Sequence, residues 1–369
     1  MFFPKVKKFN SRRLIVNLQS KLSLKSKISF AKNFVLVAIA AAAVTIAPLI
    51  HIPSAVSADI EFTPLPQATT NFANPRLVYS FLDHSGTVKS LAFSPDSRVL
   101  FSGGAENDGV IRLWDTLTGK RFAVIRKAHK TAVESMLISP DGQTLASCST
   151  DNTINLWNLP TYRFTRSFVG HTSNVLSLAL SPNGKVLASG GLDGIRLWDF
   201  LQQRPLGTLT RFDNNIYTLA ISPDGQTLAS GDNKGVIKLW DLNSGTFIRS
   251  IPKAHSDAIT KLAFTTDGTA LASSSRDYTI KLWNPNTTDL IRTLRGHNNW
   301  VNAIAINPNG QTLASAGRDG IKIWNLNTGE LLNTVYGHTD WVSSITFSPD
   351  GTKLATGGFD RRVNVWLGQ

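Results

Sequence analysis

Seven of the nine tryptophans in this 369-residue chain are evenly spaced. Trp114, Trp157, Trp198, Trp240, Trp283, Trp324 and Trp366 follow one another at intervals of 43, 41, 42, 43, 41 and 42 residues. A period in the forties marks a repeat architecture and constrains the fold more tightly than any local propensity. Six histidines keep the same beat. His84, His129, His171, His255, His297 and His338 each stand four residues before a Val or Ile, and only His51 falls outside the series.

The stretch Gly296 to Asn325, GHNNWVNAIAINPNGQTLASAGRDGIKIWN, shows what is repeated. A Gly-His opening leads into an alternating apolar run, an Asn-Gly turn, a small-residue strand, an Arg-Asp-Gly turn and a strand closing on Trp-Asn. Period-two alternation over five to seven residues reads as β, and residues 76–369 hold no helical periodicity of useful length. Asp141-Gly142, Asn183-Gly184, Asp224-Gly225, Asp267-Gly268, Asn309-Gly310 and Asp350-Gly351 supply the positive-φ positions of tight hairpins. Four short strands cannot bury a face alone, whereas units stacked radially bury one another and leave only short sheet edges.

These features together resemble the WD-repeat β-propeller family. The likeness rests on the Gly-His, the Asp turn and the Trp-Asp closes at Trp114-Asp115, Trp198-Asp199 and Trp240-Asp241, with Asn158, Asn284 and Asn325 as variants. It covers about 290 residues in seven units. The implied fold class is all-β, a seven-bladed β-propeller of four-stranded antiparallel blades over residues 76–369. The last unit stops after its third strand. Arg76-Leu77-Val78-Tyr79-Ser80-Phe81-Leu82 matches the fourth-strand pattern Arg163-Phe164-Thr165-Arg166-Ser167-Phe168-Val169. The N-terminal strand is therefore expected to close the ring.

Composition matters only in where the charge lies. The net charge is +13, but residues 1–58 carry nine Lys or Arg and no acid, leaving 29 basic against 25 acidic residues in the remainder. That balance, with no basic cluster interleaved with aromatics, gives no expectation of nucleic-acid binding. Phe34 to Ala47, FVLVAIAAAAVTIA, is an apolar run followed by small residues up to Ala58. A basic stretch, a short apolar run and small residues are the layout of a secretory signal peptide, with a cut expected before Asp59. Fourteen helical residues rise about 21 Å, short of a roughly 30 Å hydrocarbon core, although an uncleaved membrane anchor stays open if the run extends to Ile52. The body is expected on the non-cytoplasmic side, periplasmic or extracellular. Arg12-Arg13 resembles a twin-arginine signal at an unusually long distance from the apolar run. Residues 59–75, rich in Pro, Thr, Ala and Asn, read as a linker. Cys148 is the only cysteine, so neither an intramolecular disulfide nor a cysteine-rich zinc site is available.

A His, a Ser or Thr, and an Asp recur in six units: His84 with Asp108, His129 with Asp151, His171 with Asp193, His255 with Asp277, His297 with Asp319, and His338 with Asp360. Six Ser-His-Asp sets could be read as catalytic. The resemblance implies instead a buried hydrogen-bond network that includes each unit's Trp. The fourth unit favours structure over catalysis. Phe212 replaces its His and Lys234 its Asp, so both go together, although Asp232 lies nearby. The histidines lie in different units, so no metal or other cofactor is expected.

In an up-and-down sheet the Gly-His loops and Asp turns share one face. In the resembled family, positions flanking the Val or Ile after His, and the residue before the Asp, commonly contact partners. Here they include Lys89, Tyr217, Asn302, Trp300, Trp341, Arg276, Arg318 and Phe359, and the two aperiodic tryptophans fall among them. Trp, Tyr and Arg are enriched in interface hot spots, and aromatic faces beside guanidinium groups suit acidic or aromatic peptides. The expectation is a non-enzymatic, monomeric protein-interaction scaffold, with membrane contact only through the N-terminal segment. Two alternatives are an exported enzyme or small-ligand binder using the central channel, and an intracellular scaffold.

Overall fold

Alternating apolar residues need a sheet partner on each side, and here every blade finds it in the next. The computed structural model describes residues 72–105, 108–210 and 214–368. Among these are twenty-eight strands, numbered β1 to β28 in chain order, and no helix. They form seven four-stranded antiparallel sheets. The inner strands meet in sequence around a ring, from β2 (Val88–Phe93) in blade 1 to β26 (Val342–Phe347) in blade 7, which returns to β2. The protein is a seven-bladed propeller.

Blades 1 to 6 each take four consecutive strands. Blade 6, for example, is β22 (Val301–Ile306), β23 (Thr312–Gly317), β24 (Gly320–Asn325) and β25 (Leu331–Val335). Blade 7 is composite. Its order is β1 (Arg76–Leu82), β28 (Arg362–Leu367), β27 (Lys353–Gly358) and β26, with Leu77 opposite Trp366 and Phe81 opposite Val363. The N-terminal strand closes the ring. It also reaches forward, because the Phe81 ring stacks on Trp114 of blade 1 at 4.3 Å. Phe168, the matching residue of blade 2, stacks on Trp198 of blade 3 in the same way.

Apolar side chains gather into seven clusters, one per blade interface, and each holds one periodic Trp. The second residue after the Trp belongs to the interface in four units, as Leu159, Phe200, Leu242 and Leu326, all buried. Its backbone N–H donates to the residue before the second strand, as from Leu326 to Gln311. In blade 7 this position is Gly368, which makes the same backbone bond to Thr352 but has no side chain. Phe72 fills the space. It is fully buried, packs edge-on to Phe347 at 5.0 Å, and lies where a Gly368 Cβ would be 2.6 Å from its ring. Asn333 Nδ2 donates to the Ala73 carbonyl at 2.9 Å and fixes the approach. The packed body thus begins no later than Phe72, which corrects the expected linker boundary at residue 75. An aromatic in a Pro-rich stretch outside the repeats carries no periodic signal. The expected signal segment and linker residues up to 71 lie outside the described residues.

Candidate partner-binding face

Six units build one and the same buried network. In blade 6, His297 Nδ1 lies 2.7 Å from Asp319, His297 Nε2 lies 2.7 Å from Ser315 Oγ, and Trp324 Nε1 donates to Ser315 Oγ at 2.8 Å. A neutral imidazole protonated on Nδ1 satisfies every link. Nδ1–H donates to the carboxylate, Nε2 accepts the hydroxyl proton, and the hydroxyl oxygen accepts from the indole. The structure joins His129, Asp151 and Trp157 through Ser147, and His171, Asp193 and Trp198 through Ser189. It joins His255, Asp277 and Trp283 through Ser273, and His338, Asp360 and Trp366 through Thr356. In blade 1, His84, Asp108, Ser102 and Trp114 gain Arg112, whose guanidinium donates to Asp108 at 2.7 Å.

Burial works against the charge on these carboxylates, but hydrogen bonds outweigh it. Asp108 is held at about 2 by His84 and Arg112, and Asp319 at about 2 by His297 and the Asn298 N–H. Asp151 and Asp277 are lowered further in the same manner. Burial lowers the basicity of His84 and His171, and their Asp partners offset only part of this. Although the geometry is that of a catalytic triad, all six hydroxyls are fully buried and each is capped by an indole. No substrate carbonyl can reach them while the blade is closed.

Blade 4 departs from the pattern, but not completely. Trp240 still donates to Ser230 Oγ at 3.1 Å. Asp232 is buried and accepts from Asn214 Nδ2 at 2.6 Å and from the backbone of Lys234 and Val236. Thus a carboxylate is retained two residues early, with an amide in place of the imidazole. Phe212, at the expected histidine position, lies outside the described residues. Among the described residues no three His, Cys, Asp or Glu side chains gather as a metal set. Cys148 is fully buried and burial pushes its thiol well up, so it acts as a small core side chain.

Above the networks, the residues that differ between units form a chain of rings and cations around the channel mouth. Arg276 lies 5.7 Å from the Tyr217 ring and 4.8 Å from Trp300. Trp300 meets Trp341 edge-to-face at 5.2 Å, and Arg318 stands 5.9 Å from the Trp341 ring. Across blades 7 and 1, Lys89 sits 5.8 Å from Phe359. These separations lie within the range of cation–π attraction. Trp300 and Phe359 keep 38% and 44% of their surface exposed, so stacked aromatic area remains open to a ligand. The rings border a central cavity of about 780 Å³.

Asn302 behaves differently from the other expected contacts. Its Nδ2 donates to the Val342 carbonyl of blade 7 at 3.0 Å, which ties two blades together. Thr260 and Ser343 do the same to Val301 and Val88. A hydrogen-bonding residue at that position can be read from sequence as an exposed contact or as an inter-blade tie, and only the neighbouring backbone decides.

Comparison with known proteins agrees with this architecture. The family model described as "IFT122 first beta-propeller" matches residues 87–320, and the one described as "WD domain, G-beta repeat" matches residues 329–366. The chain belongs to the WD-repeat β-propeller family. It is similar to the anaphase-promoting complex subunit cdh1 of Dictyostelium discoideum, 35% identical over 126 residues, 33% of this chain and 16% of that protein. It is also similar to cell division cycle 20.4, cofactor of APC complex, of Arabidopsis thaliana, 33% identical over 135 residues, 36% of this chain and 30% of that protein. The protein groucho of Drosophila melanogaster is 31% identical over 135 residues, 36% of this chain and 18% of that protein. The aligned stretches span under a third of each relative's length. WD-repeat propellers of this kind are mostly scaffolds or regulators that act through protein partners, and two of these relatives are named as a subunit and a cofactor of a larger complex.

Proposed function

We propose that this protein is a non-enzymatic interaction scaffold that holds a protein partner on the Gly-His face, mainly across blades 5 to 7. The observation that carries the reading is the run Tyr217, Arg276, Trp300, Trp341 and Arg318, in which aromatic faces alternate with guanidinium groups beside an open channel. Clustered Trp and Arg at the centre of a face are what binding hot spots consist of, and the cations favour an acidic or aromatic segment. Trp300→Ala with Trp341→Ala removes rings that lie over the mouth and outside the blade clusters. The double variant is expected to melt within a few degrees of wild type and to lose its partner in pull-downs. Retained capture would exclude this face.

We also propose that the propeller works on the far side of a membrane, carried there by residues 1–58. Support comes from the acid-free basic stretch, the apolar Phe34–Ala47 and the small residues before Asp59. The competing reading is an intracellular scaffold, favoured by relatives named for cell-division complexes. N-terminal sequencing and fractionation of the mature protein separate the two, since a chain beginning near Asp59 in the exported fraction is expected only from the first.

A further inference from the structure

One step below the mouth, the second residue after the Val or Ile that opens each inner strand is Ser, Thr or Ala in six blades. In blade 5 it is Lys261. The small residues have a use. Ser177 and Thr218 accept from the backbone N–H of Leu219 and Leu262 in the next blade, and Ser90 donates to Val133. In blades 5 to 7 the tie moves one residue toward the mouth, to Thr260, Asn302 and Ser343. The position beneath is thereby released, and blade 5 fills it with a long cationic side chain.

Lys261 lines the central cavity, which extends furthest down the inner strands of blades 5 to 7. Among the described residues no carboxylate lies within ion-pair distance of its ammonium, and burial lowers its pKa. The cavity wall offers Lys89, Lys261 and Arg276 against one carboxylate, Glu134 of blade 2, which has interactions of its own. A half-buried ammonium that lines a cavity, with no carboxylate paired to it among the described residues, favours a bound anion. Met136, Leu262, Ile304 and Ile345, anchored in the blade interfaces, also border the cavity. Lys89 and Arg276 are engaged with the rings at the mouth, which leaves Lys261 as the ammonium available to a single carboxylate beneath them. Cavities of this size take side chains and not folded elements.

We propose that Lys261 anchors an acidic side chain, Asp or Glu, which an extended partner segment inserts into the channel as it crosses the aromatic mouth. This rests on the mouth being the partner face, and the test separates the two. Random dodecapeptides are displayed to the full-length protein, to Lys261→Ser, to Lys261→Arg and to the Trp300→Ala/Trp341→Ala variant. Serine occupies the same position in four other blades, so Lys261→Ser is expected to fold and to melt no lower than wild type. Peptides enriched on wild type should carry Asp or Glu at one fixed place. Changing that residue to its amide should weaken binding by about tenfold or more on wild type and Lys261→Arg, and have no effect on Lys261→Ser. An amide penalty that persists on Lys261→Ser, or enriched peptides lacking an acid, overturns the anchor while leaving the face intact. Binding indifferent to the double Trp variant overturns the face itself. Glutarate binding that depends on Lys261, without any enriched peptide, overturns a peptide as the occupant.

Discussion

Blades 6 and 7 carry the same network and the same kind of interface, yet they are assembled from different material. Blade 6 is one continuous stretch with Leu326 plugging its interface. Blade 7 borrows β1 from residues some 280 positions away, as in the Arg362–Ser80 hydrogen bond, and borrows Phe72 to stand over Gly368. The comparison shows that a blade's requirements are positional. An outer strand and an apolar plug must be present, and the polypeptide supplies them from whichever segment can reach.

Removing residues 72–82 takes both the outer strand and the plug from blade 7 and strips the stack from Trp114. The ring is expected to lose cooperative unfolding altogether, measured by thermal melts followed by tryptophan fluorescence. A melt like that of wild type would break the equivalence of the two blades. Phe72→Ala sharpens it more finely. Loss of a fully buried aromatic should cost about 3–5 kcal/mol, while Leu326→Ala in blade 6 should cost roughly 2–5 kcal/mol. If Phe72→Ala proved neutral in denaturant titration, the borrowed plug would be ornamental. Next in size, His297→Ala and His338→Ala should each cost about 1–3 kcal/mol, because each removes one link from a carboxylate and another from a fully buried hydroxyl. The two values should agree, since the networks match although the blades differ in origin. Asn214→Ala in blade 4 should cost less, because Asp232 keeps its backbone donors.

Acid gives the smallest effect near neutrality. His84 and His171 titrate below the ordinary histidine value of about 6.5, so the unfolded chain binds protons first and stability declines as pH falls beneath that value. The carboxylates contribute at pH values above the unfolded Asp range, near 4, and their share is lost as pH drops toward about 2 at Asp108 and Asp319. Melting temperature against pH should therefore be flat above 7, slope gently between 6 and 4, and fall steeply below 4. A profile that rose on acidification would contradict neutral histidines paired with ionised aspartates.

The ring, the seven units and the closing strand were legible because each is written several times, and one alignment of Trp and His sets every register. The cluster at the candidate site was legible where a residue departs from the repeat in chemistry, as Trp300 and Trp341 do. It was not legible where the departure involves a contact. Asn302 has the composition of a binding residue and the geometry of a brace. Phe72 belongs to no unit. Lys261 was available to sequence as the one charge among Ser, Thr and Ala at its position, but its significance depends on the tie having moved up to Thr260, which only the neighbouring strand reveals.

The closing strand also sets a timetable. At ordinary synthesis rates of about 5–20 residues per second, β28 follows β1 by roughly 15–60 s. Throughout that interval β1 has no partner in its own sheet and Phe72 has no pocket, so an aromatic and an open strand edge wait on an unfinished chain. Six blades can form before the seventh, but none of them can finish the ring. Closure of the ring therefore requires β1 to stay available for pairing until β28 arrives.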